Sequence, residues 1–214
     1  MYILTNELLF PPVEMADDDG LLAIGGDLHH ERLLLAYKSG IFPWYNEGEP
    51  ILWWSPNPRF VLYPHKLKIS RSMQQVIRSR QFHFTTNTAF EQVIANCKTI
   101  SRPGQQGTWI SENMQQAYTK LHHLGYAHSA EAWAGDKLAG GLYGIKTGKV
   151  FCGESMFSAI NNASKFALTA FVQQLQQEGI ELIDCQVYTD HLASLGAEMI
   201  SREKFLSILQ SSIH

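Results

Sequence analysis

The run from Ile180 to Val187 constrains the fold most, because it is largely apolar on both alternating faces but carries Asp184 and Gln186. Such a run is typical of a central strand that is covered by helices on both sides. Residues two apart in a strand share a face, so Asp184 and Gln186 are predicted to do so. A buried amide without a partner costs ~1–3 kcal/mol. The pair therefore serves either a local polar network or a ligand, and the residues alone leave both interpretations open.

The composition is that of a globular protein. The chain has 214 residues, of which 45% are hydrophobic and 17% are charged, enough for one domain or one domain with a small appendage. No apolar stretch approaches the ~18 residues of a membrane helix, and the first residues lack signal-peptide features, so we expect a cytoplasmic protein that contacts no membrane. The three cysteines form no CxxC pair and are predicted to be reduced.

Charge is distributed unevenly along the chain. Residues 1–49 carry nine acidic and two basic side chains, whereas residues 50–90 carry six basic and no acidic ones. One local positive block suits a small anionic contact. An extended nucleic-acid groove normally carries a larger basic excess.

The first 60 residues are rich in glycine, proline and tryptophan, and the four prolines from 43 to 58 exclude a long helix there. A helix is predicted from His30 to Ser39. A second is predicted over residues 70–80, with a basic face. We expect a boundary near Pro64, between a small N-terminal domain (1–64) and a larger body (65–214).

The larger body alternates helical and strand patterns. Thr88 and Glu91 have capping-box spacing before one predicted helix, and Ser111 is predicted to cap another that ends at Gly125. Two helices are therefore expected before the strands of the body begin.

Residues 127–154 are predicted to form three antiparallel strands. A helix over residues 161–177 then precedes the strand at 180–187, so helix and strand should pack as layers of one core. The predicted class is α+β, with a mixed, largely antiparallel sheet flanked by helices.

Several catalytic motifs are absent from the sequence. It contains no HExxH motif and no cluster of cysteine and histidine, so no metal site is expected. Gly148-Lys149 lacks the upstream glycine of a phosphate-binding loop. The segment from Gly153 resembles a serine-hydrolase elbow until Phe157 replaces the second glycine. A cysteine–histidine dyad is less favoured than inert buried thiols.

Trp44 and Trp109 are flanked by residues typical of loops. A tryptophan in such a setting either packs in the core or stacks on a nucleic-acid base. The sequence pattern alone allows both.

Eight blocks follow one another along nearly the whole chain: LLAIGGDL (21–28), GIFPWY (40–45), ILWWSPNPRFVL (51–62), ISRSM (69–73), GTWI (107–110), FCGESMFS (151–158), NASK (162–165) and LIDCQV (182–187). In this order they resemble the blocks of the leucyl/phenylalanyl-tRNA-protein transferase family. The resemblance implies a bacterial cytoplasmic aminoacyltransferase. Such an enzyme moves Leu or Phe, and less readily Met, from aminoacyl-tRNA to the N-terminal amine of proteins beginning with Arg or Lys, which marks them for degradation.

The resemblance also implies a fold for the body. The body should be GNAT-like, and we expect a monomer. The acetyl-CoA signature of GNAT enzymes is absent around residues 102–108, so acetyl-CoA is not the expected donor. An aminoacyl ester is already activated, and no cofactor or metal is needed because positioning alone can supply ~7–11 kcal/mol of the barrier.

The family motifs imply three catalytic residues. Gln186 accepts a hydrogen bond from the attacking amine, Asp184 polarises or orients Gln186, and Glu154 fixes the substrates. The resemblance implies that the terminal adenosine is bound by Trp44, Trp109 and Tyr118. An apolar pocket for the aminoacyl side chain is implied, with candidates Met156, Leu168, Phe171 and Ile183, which plain core packing explains equally well.

The basic block is the candidate contact to the tRNA backbone. The residues concerned are Lys66, Lys68, Arg71, Arg78 and Arg80. The helix after ISRSM is less basic than is usual for the family, with glutamine at 74 and 75 and serine at 79. The backbone contact is therefore expected to be weaker, or shifted toward Lys66 and Lys68. Two alternatives stay open: a GNAT-like acetyltransferase that uses acetyl-CoA, and a non-catalytic tRNA-binding module.

Overall fold

The computed structural model describes residues 2–99 and 110–211. Within these ranges, four short strands form a small sheet: β1 (Tyr2–Leu4), β2 (Leu21–Gly25), β3 (Phe42–Pro43) and β4 (Leu52–Trp54). Their order is β1-β2-β4-β3, with β1 and β2 parallel and the other pairs antiparallel.

Seven strands form the large sheet. They are β5 (Arg59–Leu62), β6 (His83–Thr86), β7 (Ala127–Ala134), β8 (Lys137–Thr147), β9 (Val150–Ser158), β10 (Leu182–Gln186) and β11 (Glu198–Ile200). Their order is β11-β5-β10-β9-β8-β7-β6, in which β9 and β10 run parallel and the other pairs are antiparallel. The sheet confirms the predicted β7–β8–β9 meander and the central position of the strand that carries Asp184.

Seven α-helices lie within the described residues. They are α1 (His30–Lys38), α2 (Arg71–Ser79), α3 (Phe90–Thr99), α4 (Glu112–His123), α5 (Ala163–Gln177), α6 (Asp190–Ser194) and α7 (Arg202–Ser211), with 3₁₀ turns at Val13–Met15 and Pro64–Lys66. Ser111 caps α4 as predicted, since its hydroxyl accepts from the Met114 N–H. The predicted cap at Thr88 is wrong, because α3 begins at Phe90, one residue later than a cap at Thr88 requires, and the Thr88 hydroxyl donates to the buried Glu131.

Both faces of the large sheet are covered. Helices α1, α3, α4 and α7 and the small sheet contribute to the apolar cluster on one face, and α2 and α5 contribute to the cluster on the other. A Cβ on Gly140 of β8 would lie 2.8 Å from the Cβ of Ala163, so this glycine allows the first turn of α5 to approach the sheet closely. The α+β class predicted from the sequence is confirmed.

Strand β5 joins the N-terminal segment to the large sheet. It precedes Pro64 in the chain but lies between β10 and β11. The chain therefore passes from the small sheet to the large one between Trp54 and Arg59. The division into domains at Pro64 stays a prediction.

Candidate active site

Strand β10 ends in a bulge between Asp184 and Gln186. Asp184 pairs with Val61 of β5, Gln186 pairs with Phe60, and the register shifts between the two pairs. Gln186 has a φ of 64°, a left-handed conformation that residues with a Cβ seldom adopt. The regular alternation predicted for the strand therefore fails at its end, because Cys185 is an extra residue in the ladder.

The Asp184 carboxylate is fully buried and bound by Arg59 of β5. Arg59 Nε donates to Oδ1 over 2.8 Å, and Nη2 donates to Oδ2 over 2.7 Å. Burial alone would lower the pKa of Arg59, but Asp184 raises it above its ordinary value, so Arg59 stays charged. The predicted contact from Asp184 to Gln186 is made to the main chain, where the Gln186 N–H donates to Asp184 Oδ1 over 2.9 Å.

Two aromatic rings pack against the Arg59 guanidinium. Its central carbon lies 4.8 Å from the centre of the Phe42 ring and 4.6 Å from that of Phe205, within range of cation–π attraction. Its Nη1 donates to the Gly40 carbonyl over 3.2 Å. In the sequence Arg59 belongs to the positive block, but in the structure it is buried and not part of the surface. Its position directly before the apolar run Phe60-Val61-Leu62 could have predicted a buried arginine that needs an acidic partner.

The side chain of Gln186 turns toward Glu154 on β9. Gln186 Nε2 donates to Glu154 Oε1 over 2.9 Å, and the Tyr118 hydroxyl donates to Oε2 over 3.1 Å. This contact directs the nitrogen of the Gln186 amide, not its oxygen, at Glu154, as suits the ionised carboxylate, which only accepts hydrogen bonds. The structure thus brings the three predicted catalytic residues into one hydrogen-bonded network.

Glu154 titrates close to neutral pH. Burial raises the pKa of Glu154 to about 7, although hydrogen bonds from Tyr37, Tyr118 and Gln186 lower it. Both forms of the carboxyl group are therefore present near pH 7. The ionised form accepts hydrogen bonds from both Tyr118 and Gln186. The protonated form carries a hydrogen on one oxygen and directs it at one of these two donors.

The structure places Tyr118, which is predicted near the adenosine, in the same network. Its side chain is completely buried on α4, so its ring offers no face for stacking on a base, and a contact with the adenosine stays a prediction. Its hydroxyl is hydrogen-bonded to that of Tyr37 on α1 as well as to Glu154. Burial raises the pKa of both tyrosines, so both are neutral. No motif marks Tyr37 in the sequence, where it is one apolar position of an amphipathic helix.

A cavity of about 320 Å³ adjoins this network. Met156, Leu168 and Ile183, which are predicted pocket residues, line the cavity together with Glu154 and Gln186. The fourth candidate, Phe171, lies behind the wall and packs edge-on against Phe151 with ring centres 5.0 Å apart. A mostly apolar cavity with a few polar groups at its wall suits a small apolar ligand group.

The two cysteines nearest the site favour the protonated thiol. Burial raises the pKa of the Cys152 and Cys185 thiols, so both are protonated near neutral pH. His191 also lines the cavity, and burial lowers its pKa. These properties support inert thiols over a cysteine–histidine dyad.

Of the two tryptophans predicted to bind the adenosine, Trp44 lies within the described residues. Trp44 is 40% exposed, and its carbonyl accepts from Trp54 Nε1 over 2.7 Å. The backbone at Trp44 is therefore tied to the small sheet, while its ring keeps a solvent-exposed surface. Trp109 lies outside the described residues.

The five basic residues assigned to tRNA are all exposed. They are Lys66, Lys68, Arg71, Arg78 and Arg80. Lys66 Nζ lies 2.8 Å from a carboxylate oxygen of Glu198, so its charge is partly compensated. On α2 the only buried residue is Met73, which leaves the arginines in solvent.

The protein thus has an α+β fold with a buried network of carboxyl and amide groups beside an apolar cavity. The family model described as "Leucyl/phenylalanyl-tRNA protein transferase" matches residues 61–210, and the model of the N-terminal domain of the same transferase matches residues 26–57. The chain belongs to the leucyl/phenylalanyl-tRNA protein transferase family. It is an aminoacyltransferase that moves an aminoacyl group from tRNA to protein.

Full-length relatives carry the same name. A leucyl/phenylalanyl-tRNA–protein transferase of Flavobacterium johnsoniae is 57% identical over 211 residues, which cover 99% of this chain and 100% of the relative. One from Christiangramia forsetii is 55% identical, over 98% of this chain and 100% of the relative. Membership of this family excludes the two alternatives that the sequence left open, an acetyltransferase and a tRNA-binding module without catalysis.

A solved GCN5-related N-acetyltransferase from Kribbella flavida aligns with a TM-score of 0.40 at 9% identity, covering 77% of this chain and 58% of that one. A similarity this low does not establish a common fold, and the GNAT-like body stays a prediction. Within residues 2–99 and 110–211, no helix combines the length and the apolar character needed to cross a membrane.

Proposed function

We propose that this transferase moves Leu or Phe, and less efficiently Met, from aminoacyl-tRNA to the N-terminal amine of proteins that begin with Arg or Lys. The product is marked for degradation by the N-end rule. The enzyme acts in the cytoplasm as a monomer. The identity of donor and acceptor rests on the family, and the assignment of roles rests on the geometry of the site.

The orientation of the Gln186 amide is the observation that supports this assignment most strongly. Glu154 accepts from the amide nitrogen, which leaves the amide oxygen as an acceptor for the N–H of an incoming amine. Asp184 fixes the Gln186 main chain. Gln186 is therefore an orienting acceptor, since an amide oxygen is too weak a base to remove a proton by itself.

The reaction needs no activated nucleophile. The neutral form of an N-terminal amine, with an unperturbed pKa of ~7.7–8.0, attacks the ester carbonyl of the aminoacyl-tRNA. A carbon–nitrogen bond forms and the ester carbon–oxygen bond breaks. The proton lost by the amine passes to the tRNA ribose oxygen that leaves, which becomes a hydroxyl, so atoms and charge balance.

The cavity is the proposed site for the aminoacyl side chain. Met156, Leu168 and Ile183 supply apolar walls, and the flexible Met156 suits both a branched and an aromatic side chain. Such a pocket discriminates against smaller side chains by only ~1–3 kcal/mol per missing methylene. Phe171 supports the wall through Phe151.

The remaining donor contacts follow the aromatic and basic residues. The exposed ring of Trp44, together with Trp109, is proposed to hold the terminal adenosine by stacking. The exposed side chains of Lys66, Lys68, Arg71, Arg78 and Arg80 are proposed to face the tRNA backbone.

Transfer of radiolabelled Leu from Leu-tRNA tests this function directly. Two reporter proteins that differ only in an N-terminal Arg or an N-terminal Gly serve as matched acceptors. We expect labelling of the Arg reporter and little of the Gly reporter, with Phe-tRNA as a second efficient donor. Equal labelling of both reporters would refute the proposed acceptor, and no transfer from either donor would refute the proposed donors.

A further inference from the structure

Arg59 lies at one end of a hydrogen-bonded chain that reaches the proposed reaction centre. The chain runs from the Gly40 carbonyl through Arg59, Asp184 and Gln186 to Glu154. We propose that Arg59 is a positioning residue for aminoacyl transfer: it fixes the Asp184 carboxylate and thereby holds the Gln186 amide in its working orientation. This inference rests on the role proposed for Gln186.

One carboxylate oxygen connects the two contacts. Asp184 Oδ1 accepts from Arg59 Nε over 2.8 Å and from the Gln186 N–H over 2.9 Å. Oδ2 is held by Arg59 Nη2 over 2.7 Å. Because both oxygens are bound by one planar guanidinium, the plane of the carboxylate follows that of the guanidinium. A shift of the guanidinium therefore moves the oxygen that holds Gln186.

Gln186 needs this support because of its backbone conformation. A φ of 64° is unfavourable for a residue with a Cβ and persists only where the surroundings hold it. The main-chain contact to Asp184 is part of that restraint. With a relaxed backbone, Gln186 would no longer direct its amide nitrogen at Glu154.

Arg59 itself is held more tightly than charge neutralisation requires. Phe42 and Phe205 pack against the guanidinium, and the Gly40 carbonyl accepts the third hydrogen bond that the guanidinium donates. A buried ion pair is often replaceable by apolar residues without loss of stability, so stability alone does not explain so many directed contacts. A lysine would keep the charge but could not bind both carboxylate oxygens in one plane.

The chain offers a matched control in Arg32. It is 1% exposed, as is Arg59, and it contacts the Thr5 carbonyl and the Asp27 carboxylate, away from the network. Arg59→Lys and Arg32→Lys thus make the same chemical change at the same burial. Only the first variant alters the residue that binds Asp184.

Two readouts separate positioning from general destabilisation. The first is kcat and KM for Leu-tRNA at saturating acceptor. The second is the position of the Gln186 side-chain NH₂ signal in a ¹⁵N-correlated NMR spectrum, assigned by its loss in Gln186→Ala. For Arg59→Lys we expect kcat to fall about tenfold or more, KM to change less than about threefold, and the Gln186 signal to shift. Arg32→Lys should leave kcat and the signal unchanged, even if it lowers the melting temperature.

Three results would contradict the account. An unshifted Gln186 signal in Arg59→Lys would overturn the positioning role, whatever happens to kcat. Equal effects of both lysine variants on kcat would do the same. A shifted signal with unchanged kcat would show that Arg59 orients Gln186 but that Gln186 is not catalytic, which refutes the proposed role of Gln186.

If Arg59→Lys does not fold, Phe205→Leu carries the same test. This variant keeps the ion pair and removes one of the two rings beside the guanidinium. A shifted Gln186 signal with a several-fold lower kcat is expected. An unchanged signal would overturn the proposal.

Discussion

Arg59 and the arginines of α2 are the same residue type in opposite settings. Arg59 is buried, its planar fork is bound to one carboxylate, and two rings pack against it. Arg71 and Arg78 are exposed to solvent. The difference indicates that a buried, paired arginine fixes the geometry of the site, whereas an exposed one attracts charged ligands at long range. Substitutions at Arg59 and Asp184 should therefore cause large losses of turnover or stability. Substitutions on α2 should cause small losses of tRNA affinity that depend on salt.

The largest effect on stability is expected from Asp184→Ala. The change leaves the Arg59 charge buried without its partner, which typically costs ~3–5 kcal/mol. Arg71→Ala should change the free energy of unfolding by less than about 0.5 kcal/mol, because it alters an exposed side chain. Urea unfolding of both variants measures the contrast, and similar losses would show that the buried Arg59–Asp184 pair does not stabilise the fold more than an exposed arginine does.

Glu154 should give stability an unusual dependence on pH. Its pKa of about 7 in the folded protein exceeds the ~4.3 of an unfolded chain, so the folded state binds more protons between these values. Stability from this group is present below about pH 4 and is lost as pH rises to about 7, by roughly 3 kcal/mol. Glu154→Gln should remove this loss. Parallel slopes of unfolding free energy against pH for both proteins would contradict the raised pKa.

Trp44→Ala should weaken donor binding with little effect on folding. A stacked base contributes ~1–3 kcal/mol, whereas truncating a core tryptophan costs ~3–5 kcal/mol of stability. We expect the KM for Leu-tRNA to rise about tenfold, the melting temperature to change little, and Trp44→Phe to recover most of the loss. A large melting drop with unchanged KM would make Trp44 a structural residue.

The smallest effects are expected on α2. Arg71→Ala and Arg78→Ala should each reduce the slope of log affinity against log salt for Leu-tRNA by about one. Reaction with a short aminoacyl-adenosine donor should stay nearly unchanged. If both donors lost rate equally, these arginines would belong to the reaction centre, and the contrast with Arg59 would disappear.

Local patterns predicted much of the fold. The apolar residues of α5 recur at helical spacing, and those of β10 form a continuous run typical of a buried strand. Turn residues mark the ends of β7 and β8. The Ser111 cap also follows from neighbouring residues. Such features need no knowledge of distant partners, and the structure confirms them.

The unpredicted features depend on partners far apart in the chain. Arg59 and Asp184 are separated by 125 residues, and no local period connects them. The bulge at Cys185 depends on how β10 pairs with β5. Tyr118 was assigned by resemblance, but its burial between α1 and the sheet follows from packing that its own helix pattern does not specify.

The central claim is that the Gln186 amide orients the attacking amine. Single-turnover transfer of Leu from Leu-tRNA to a protein with N-terminal Arg, measured for folded Gln186→Ala beside wild type, tests it most directly. The account predicts a rate about a hundredfold lower, as for loss of one hydrogen bond that acts in the transition state, with tRNA affinity unchanged within about threefold. A variant that transfers Leu at the wild-type rate would contradict the account.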